Sequence, residues 1–172
     1  MAGEIPTERL RLVPVTRSDE DALCALFSHD DVARYLSEEV PSRAAIRDMI
    51  GSSLDASSVA SFWRVSTDGS GVLGLVGLWP PSTSALALRA IGWRSLERVI
   101  AFHPSAWGRG YAREALEAAV THGLSDGVTF AILGAVAEPN RAAHALMRRS
   151  RFEVLGRVAG AKHPITVYER AS

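Results

Sequence analysis

The chain has 172 residues, a mass of 18.5 kDa, 47% hydrophobic residues and a mean hydropathy of +0.07, which supplies one full core and excludes a disordered chain. Its 19 Lys and Arg balance its 19 Asp and Glu, which argues against non-specific nucleic-acid binding as the main work, because that needs a basic surface. A single cysteine, Cys24, excludes an internal disulfide framework and a multi-cysteine zinc site, and no His or acid spacing resembles a zinc-binding helix, so no metal is expected.

The polar opening Met1–Pro14 lacks the apolar run of a signal peptide, and no segment approaches the roughly 18 apolar residues of a membrane span. The expectation is a soluble, cytoplasmic chain with no membrane partner. Thr7 to Val13 alternates charged and apolar residues, which predicts a first strand. Ser18 is placed to cap a helix with Asp19, Glu20 and Asp21 in its first turn and Leu23, Leu26 and Phe27 as its buried stripe. Cys24 lies on that helix and reads as packing. Pro41 and the cap Ser42 open a second helix with Ala45, Ile46, Met49 and Ile50 at helical spacing, which Gly51-Ser52-Ser53 is expected to break.

Phe62–Ser66 and Gly71–Trp79 predict a hairpin through Thr67-Asp68-Gly69-Ser70, and Pro80-Pro81 forbids its continuation. The apolar stretch from Ala85 to Trp93 reads either as a strand or as a substrate-side loop. Ser95–His103 is a further strand candidate. Ala112, Ala115, Leu116, Ala119, Val120 and Gly123 then share one face of a helix over Arg113–Leu124. Phe130–Val136 predicts a buried strand, Asn140–Ser150 a last helix, and Phe152–Leu155 with Ile165–Tyr168 the closing strands. This order fits one α/β domain over residues 1–172, a mixed sheet covered by helices with no internal linker.

The segment from Val99 to Ala115 carries the chemistry. Gly108 and Gly110 lie between a strand and a strongly amphipathic helix, so successive backbone N–H groups can converge on an anion at the helix N-terminus, with Arg109 adding positive charge. The same glycines also suit an ordinary packing turn. Neither a Walker loop nor a dinucleotide fingerprint is present.

Trp107-Gly108-Arg109-Gly110-Tyr111-Ala112-Arg113-Glu114-Ala115 resembles the acetyl-coenzyme A binding motif of the GNAT family of N-acetyltransferases, specifically the branch that acetylates ribosomal-protein N-termini. Thr7–Val13 is similar to that branch's first strand, Gly74–Leu78 to its hairpin, and Glu138-Pro139-Asn140-Arg141-Ala142-Ala143 with Phe152 to its second cofactor motif. Three positions depart from the family pattern: Trp107 replaces Gln or Arg, Ala143 replaces Ser, and Arg151 replaces Gly.

The resemblance implies a twisted, mostly antiparallel sheet and direct transfer of acetyl from acetyl-coenzyme A to a primary amine, a protein or peptide N-terminus favoured over a small molecule. It implies that backbone groups of Ile100, Ala101, Phe102 and His103 polarise the thioester and that Trp107, Gly108, Arg109, Gly110, Tyr111 and Ala112 hold the pyrophosphate. Asn140 would meet the pantetheine arm or a bound water, and a homodimer is one option, because the family often dimerises, with the oligomeric state left open by the sequence. For the general base the residues leave two candidates, Glu97 on the incoming strand and His103, whose reference pKa near 6.5 suits proton transfer. Trp63, Trp79 and Trp93 are candidates for an acceptor wall or for the core. Arg141, Arg148, Arg149 and Arg151 read as a solvated face or as a contact for the ribose phosphate. The missing hydroxyl at Ala143 keeps open a reading of different class, a non-catalytic acyl-coenzyme A binding domain.

Overall fold

A computed structural model describes residues 3–36, 40–68, 71–81 and 95–172. The Ala85–Trp93 stretch and the Gly69-Ser70 half of the hairpin turn lie outside them. The elements are β1 (Ile5–Pro6), β2 (Arg11–Pro14), α1 (Glu20–Ser28), α2 (Asp30–Ala33), α3 (Arg43–Leu54), β3 (Ser61–Ser66), β4 (Gly74–Trp79) and β5 (Ser95–Phe102). There follow α4 (Tyr111–Leu124), β6 (Ala131–Ala137), α5 (Arg141–Arg149), β7 (Glu153–Val158) and β8 (Ile165–Ala171). The strands form one eight-stranded sheet in the order β1-β2-β3-β4-β5-β6-β8-β7, antiparallel everywhere except between β5 and β6. Among the described residues no helix is long and apolar enough to cross a membrane.

Helices cover both faces, and the apolar periodicities decide which. Leu23, Leu26 and Phe27 of α1 and Ile46 and Ile50 of α3 pack on Phe62, Leu75 and Ala101. On the opposite face Ala115, Leu116, Ala119 and Val120 of α4 meet Trp63, Val76, Leu78 and Ile132, and Met147 of α5 joins Phe152 and Tyr168. Burying each of the larger side chains stabilises the fold by about 1.5–3 kcal/mol before chain entropy is counted.

Three local readings of the sequence are corrected. The single strand over Thr7–Val13 is instead two short strands, because Thr7 N–H donates to the Leu10 carbonyl at 2.8 Å and Leu10 N–H to Thr7 Oγ1 at 3.0 Å, closing a turn. Ser18 does not cap α1 but lies in a 3₁₀ turn, Arg17–Asp19, that Thr16 caps; Asp19, which precedes α1, accepts from the Thr16 N–H at 2.8 Å and sits beside Arg64 at 3.3 Å. Glu20 and Asp21, expected only to serve the helix dipole, also bind Arg43 at 2.7 and 2.6 Å and so tie α1 to α3. Finally, Gly51-Ser52-Ser53 does not end α3. Buried Ser53 accepts from the Phe62 N–H at 3.0 Å, and this contact with β3 carries the helix on to Leu54.

The Arg151 departure has a clear backbone consequence. Phe152 N–H donates to Met147 O at 3.0 Å and Arg151 N–H to Arg148 O at 3.2 Å, the paired bonds of a Schellman helix end. That motif puts Arg151 at φ 59°, a left-handed conformation that costs a side-chain-bearing residue roughly 1–2 kcal/mol. Arg151→Gly is therefore expected to stabilise the chain by about 1 kcal/mol after the glycine's extra unfolded-state entropy is subtracted. Thermal unfolding should show the midpoint rising by about 2–4 °C.

Candidate active site

The site begins with a register. Strand β5 is eight residues long, yet it pairs with β6 only through Ser95↔Ala131, Leu96↔Ile132 and Glu97↔Leu133. Its other edge pairs with β4 continuously from Glu97 to Phe102. Beyond Glu97 the two parallel strands diverge, and alternate backbone N–H and C=O groups from Arg98 to Phe102 have no ladder partner in β6. A wedge lined by main-chain donors and acceptors suits an extended, amide-bearing ligand.

The wedge leads into the glycine loop. A short 3₁₀ turn over Pro104–Ala106 is followed by Gly108 at φ 74° and Gly110 at φ 80°, and Gly110 caps α4. Both glycines are required by these left-handed conformations. A Cβ at Gly108 would meet nothing within 4 Å, so the loop is open where an anion would approach. The first-turn amides of α4 have no acceptor inside the helix and carry the positive end of its dipole. Trp107 stands 48% exposed beside them, its indole N–H anchored on the Phe102 carbonyl at 2.7 Å. This donor set, with exposed Arg109, fits a pyrophosphate, and the wedge fits the pantetheine arm of acetyl-coenzyme A.

What holds the loop is a clamp that sequence reasoning missed. Glu114, in the first turn of α4, accepts from Thr7 Oγ1 at 2.6 Å, from the Arg9 N–H at 2.8 Å and from Arg9 Nε at 2.8 Å. Arg9 also donates to the Arg109 carbonyl at 2.9 Å and lies over the Tyr111 ring at 5.0 Å. Partial burial pushes the Glu114 carboxyl upward, but the bonds from Thr7 and Arg9 outweigh it and hold it below the usual carboxylate range. The turn between β1 and β2 thus fixes the anion loop from a hundred residues away, a pairing that no periodicity reveals.

The two base candidates are separated. Glu97 is buried and shares with Val99 and Ala101 the sheet face covered by α1 and α3. Its cross-strand neighbour is Trp79, 40% exposed and edge-on to Phe62. His103 lies six residues along, about 20 Å at strand spacing. Its Nδ1 is held by Ser105 Oγ at 2.8 Å and faces the Ser105 N–H at 3.3 Å, and its ring is edge-on to His29, so it caps the 3₁₀ turn. Of the tryptophans, Trp63 is core, with its indole N–H on the Gly3 carbonyl, whereas Trp79 borders Glu97. Trp93 lies outside the described residues.

On α5, Asn140 uses its side-chain oxygen to cap the helix, accepting from the Ala143 N–H at 3.0 Å. The four arginines do not form one cluster. Arg141 and Arg148 line a cleft of about 450 Å³ with His144 and Tyr168, while Arg151 borders a separate cleft near Arg170. Cys24 packs partly buried against the α1–α3 core.

Residues 9–153 match the acetyltransferase (GNAT) domain model, and the chain belongs to that family. No curated protein matches it. Solved structures share the fold at low identity. A spermidine N-acetyltransferase from Vibrio cholerae in complex with coenzyme A and spermine aligns with 19% identity over 96% of each chain, TM-score 0.76. A Salmonella typhimurium acetyl transferase described as modifying the N-terminal serine of a 50S ribosomal subunit protein aligns with 18% identity over 98% of this chain and 99% of that one, TM-score 0.76. An aminoglycoside acetyltransferase in complex with coenzyme A aligns with 17% identity over 94% and 93%, TM-score 0.72. Acetyl-coenzyme A is accordingly the acetyl donor.

Replacing Gly108 and Gly110 together by Val imposes two left-handed penalties of about 1–2 kcal/mol each, and calorimetric titration is expected to show acetyl-coenzyme A affinity falling at least 10- to 100-fold. Glu114 gives a pH signature as well. With its folded pKa depressed, its contribution is fully present above the unfolded value of about 4.3 and is lost as pH falls through the folded value. Glu114→Gln should therefore lower the melting temperature at neutral pH and weaken the steepness of acid unfolding below about pH 4.5.

Proposed function

We propose that this acetyltransferase acts on the amino terminus of a protein or peptide, with Glu97 as general base. The observation that carries this reading is the cross-strand pair of Trp79 and Glu97. One buried carboxylate stands beside one large exposed ring, on a strand face whose next residues, Val99 and Ala101, are apolar.

The argument is one of proton cost. An α-amine titrates at about 7.7–8.0 and a lysine-type amine at about 10.4, so freeing the α-amine of its proton at neutral pH is easier by about 2.5 units, roughly 3.4 kcal/mol. A single carboxylate suffices for the first. A polycationic acceptor calls for several carboxylates along its length, and this strand face offers Glu97 followed by hydrocarbon.

Acetyl-coenzyme A, when bound, supplies the acyl group as an activated thioester. The protein's own part is positional and electrostatic. Backbone N–H groups from Gly108 to Ala112 hold the pyrophosphate, with Arg109 beside them; the Trp107 N–H is spent on the Pro104 carbonyl at 3.0 Å. The Ile100 and Phe102 N–H groups, which point away from β4, face the developing negative charge on the thioester oxygen, whereas the His103 N–H is taken by the Leu73 carbonyl at 2.9 Å. Glu97 takes the proton from the acceptor ammonium, and the apolar neighbours keep competing water out. His103 supports the loop by capping the turn and takes no part in proton transfer.

A panel at neutral pH should compare a peptide with a free N-terminus, the same peptide blocked but carrying lysine, spermidine and an aminoglycoside, with released thiol as the readout. The free N-terminus is expected to give the highest kcat/KM by at least about tenfold, in keeping with the proton cost above. Faster turnover of the polyamine or the aminoglycoside would overturn the acceptor assignment. Glu97→Gln is expected to lower kcat about 100-fold with acetyl-coenzyme A affinity unchanged, whereas His103→Asn should change kcat by less than about tenfold.

A further inference from the structure

Arg98 is the first residue of β5 beyond its last pairing with β6, so it stands at the apex of the wedge. It is only 9% exposed. Its side chain leaves the sheet on the face opposite to Glu97, toward α4 and α5, and one terminal nitrogen reaches across the gap to the Ala135 carbonyl at 3.0 Å. The guanidinium passes over Gly134, where a Cβ would lie 3.0 Å from Arg98 Nε and 3.0 Å from Met147 Sδ. A glycine on β6 lets the guanidinium pass without crowding. Nε has no hydrogen-bond partner.

A buried guanidinium with an unused donor is expensive. Burial pushes its pKa down to about 10, and Glu97, on the other face, is the titratable group that acts against this. β6 presents Gly134 and Ala135 to it and α5 presents Met147, none of which titrates. The helix face turned to the same core carries Ala143, Leu146 and Met147, and the phenol of that core, Tyr168 of β8 opposite Gly134, is already hydrogen-bonded to His144 Nδ1 of α5 at 2.8 Å. A positive charge fixed at the apex, with one donor unspent, is the complement of a negative charge that forms there.

We propose that Arg98 stabilises the thiolate that leaves when the acetyl group is transferred. In that step the acceptor nitrogen bonds to the carbonyl carbon, the carbon–sulfur bond breaks, and its electron pair remains on sulfur. Of the two protons the acceptor ammonium loses, Glu97 takes the first before attack and passes it to solvent, and the second leaves the nitrogen as the carbon–sulfur bond breaks and reaches the thiolate through solvent, so the products are the acetylated amine, the free thiol and one proton. Arg98 replaces a proton donor by a charge. The inference rests on the wedge as the acetyl-coenzyme A site and is independent of the acceptor's identity.

The direct test is binding. Acetyl-coenzyme A has no titrating thiol, so the ratio of its Kd to that of coenzyme A, followed by calorimetry from about pH 6.5 to about pH 8.5, cancels titrations common to both and reports the bound thiol; free thiols titrate near 8.5. In the wild-type chain the ratio is expected to rise about fivefold in favour of coenzyme A over this range, the effect of lowering the thiol pKa by about one unit. Arg98→Met should flatten the profile and lower kcat about 100-fold, and Arg98→Lys should restore part of both. A flat wild-type profile overturns the proposal without any variant, and so covers the case in which Arg98→Met does not fold. A lowered kcat in a folded Arg98→Met with the wild-type slope also overturns it, since the residue would then act on the oxyanion or on geometry. Failure of acetyl-coenzyme A to bind at all would overturn the cofactor reading of the wedge and this role with it, whereas binding with a flat ratio overturns this role alone.

Discussion

The short parallel register between β5 and β6 is the constraint from which the site follows. Three paired residues join the two halves of the sheet, and the remaining five residues of β5 turn away. A parallel pair held by so few bonds would open freely if nothing else fixed it. Here β4 pairs with β5 along Glu97–Phe102, and β8 pairs with β6 along its entire length, so each strand is held rigid by its outer neighbour. The divergence is therefore a fixed feature with defined donors and acceptors, which preorganises the site.

The sheet separates two kinds of chemistry. Residues that alternate along β5 face either α1 and α3, where Glu97, Val99 and Ala101 lie, or α4 and α5, where Leu96, Arg98, Ile100 and Phe102 lie. The carboxylate and the guanidinium are adjacent in sequence and on opposite faces. In the proposed mechanism a proton is removed on one face and negative charge accumulates on the other, with the acyl carbon in the plane between them. A strand achieves this with consecutive residues, whereas a helix would place them about 100° apart on one surface.

The anion loop shows how distant parts of the chain are recruited. Its glycines supply the conformations, but its position is set by the carboxylate of Glu114, which collects a hydroxyl, an amide and a guanidinium from the turn before β2. Exposed ion pairs alone contribute little. This one is tied into backbone and hydroxyl hydrogen bonds, and Arg9 extends it to the carbonyl of Arg109 inside the loop. The N-terminal hairpin is in this sense part of the proposed cofactor site.

Much of this was legible in the sequence. The buried stripes of α1, α3 and α4, the hairpin of β3 and β4, the strand before the loop and the pair of glycines follow from local periodicity and from conformations only glycine adopts readily. Tertiary structure decided the rest, because each remaining feature depends on partners far away in the chain. Ser53 stays helical because β3 binds it, and Thr7–Leu10 turns because Glu114 receives its donors. In a row of letters Glu97 is the first choice of base and His103 its competitor, and the fold leaves one beside Trp79 and the other capping a turn. Nothing in the local pattern marks Arg98, and it is the assembled sheet that buries it. A single strand's sequence encodes which residues share a face, but where its neighbour departs is a property of the assembled sheet.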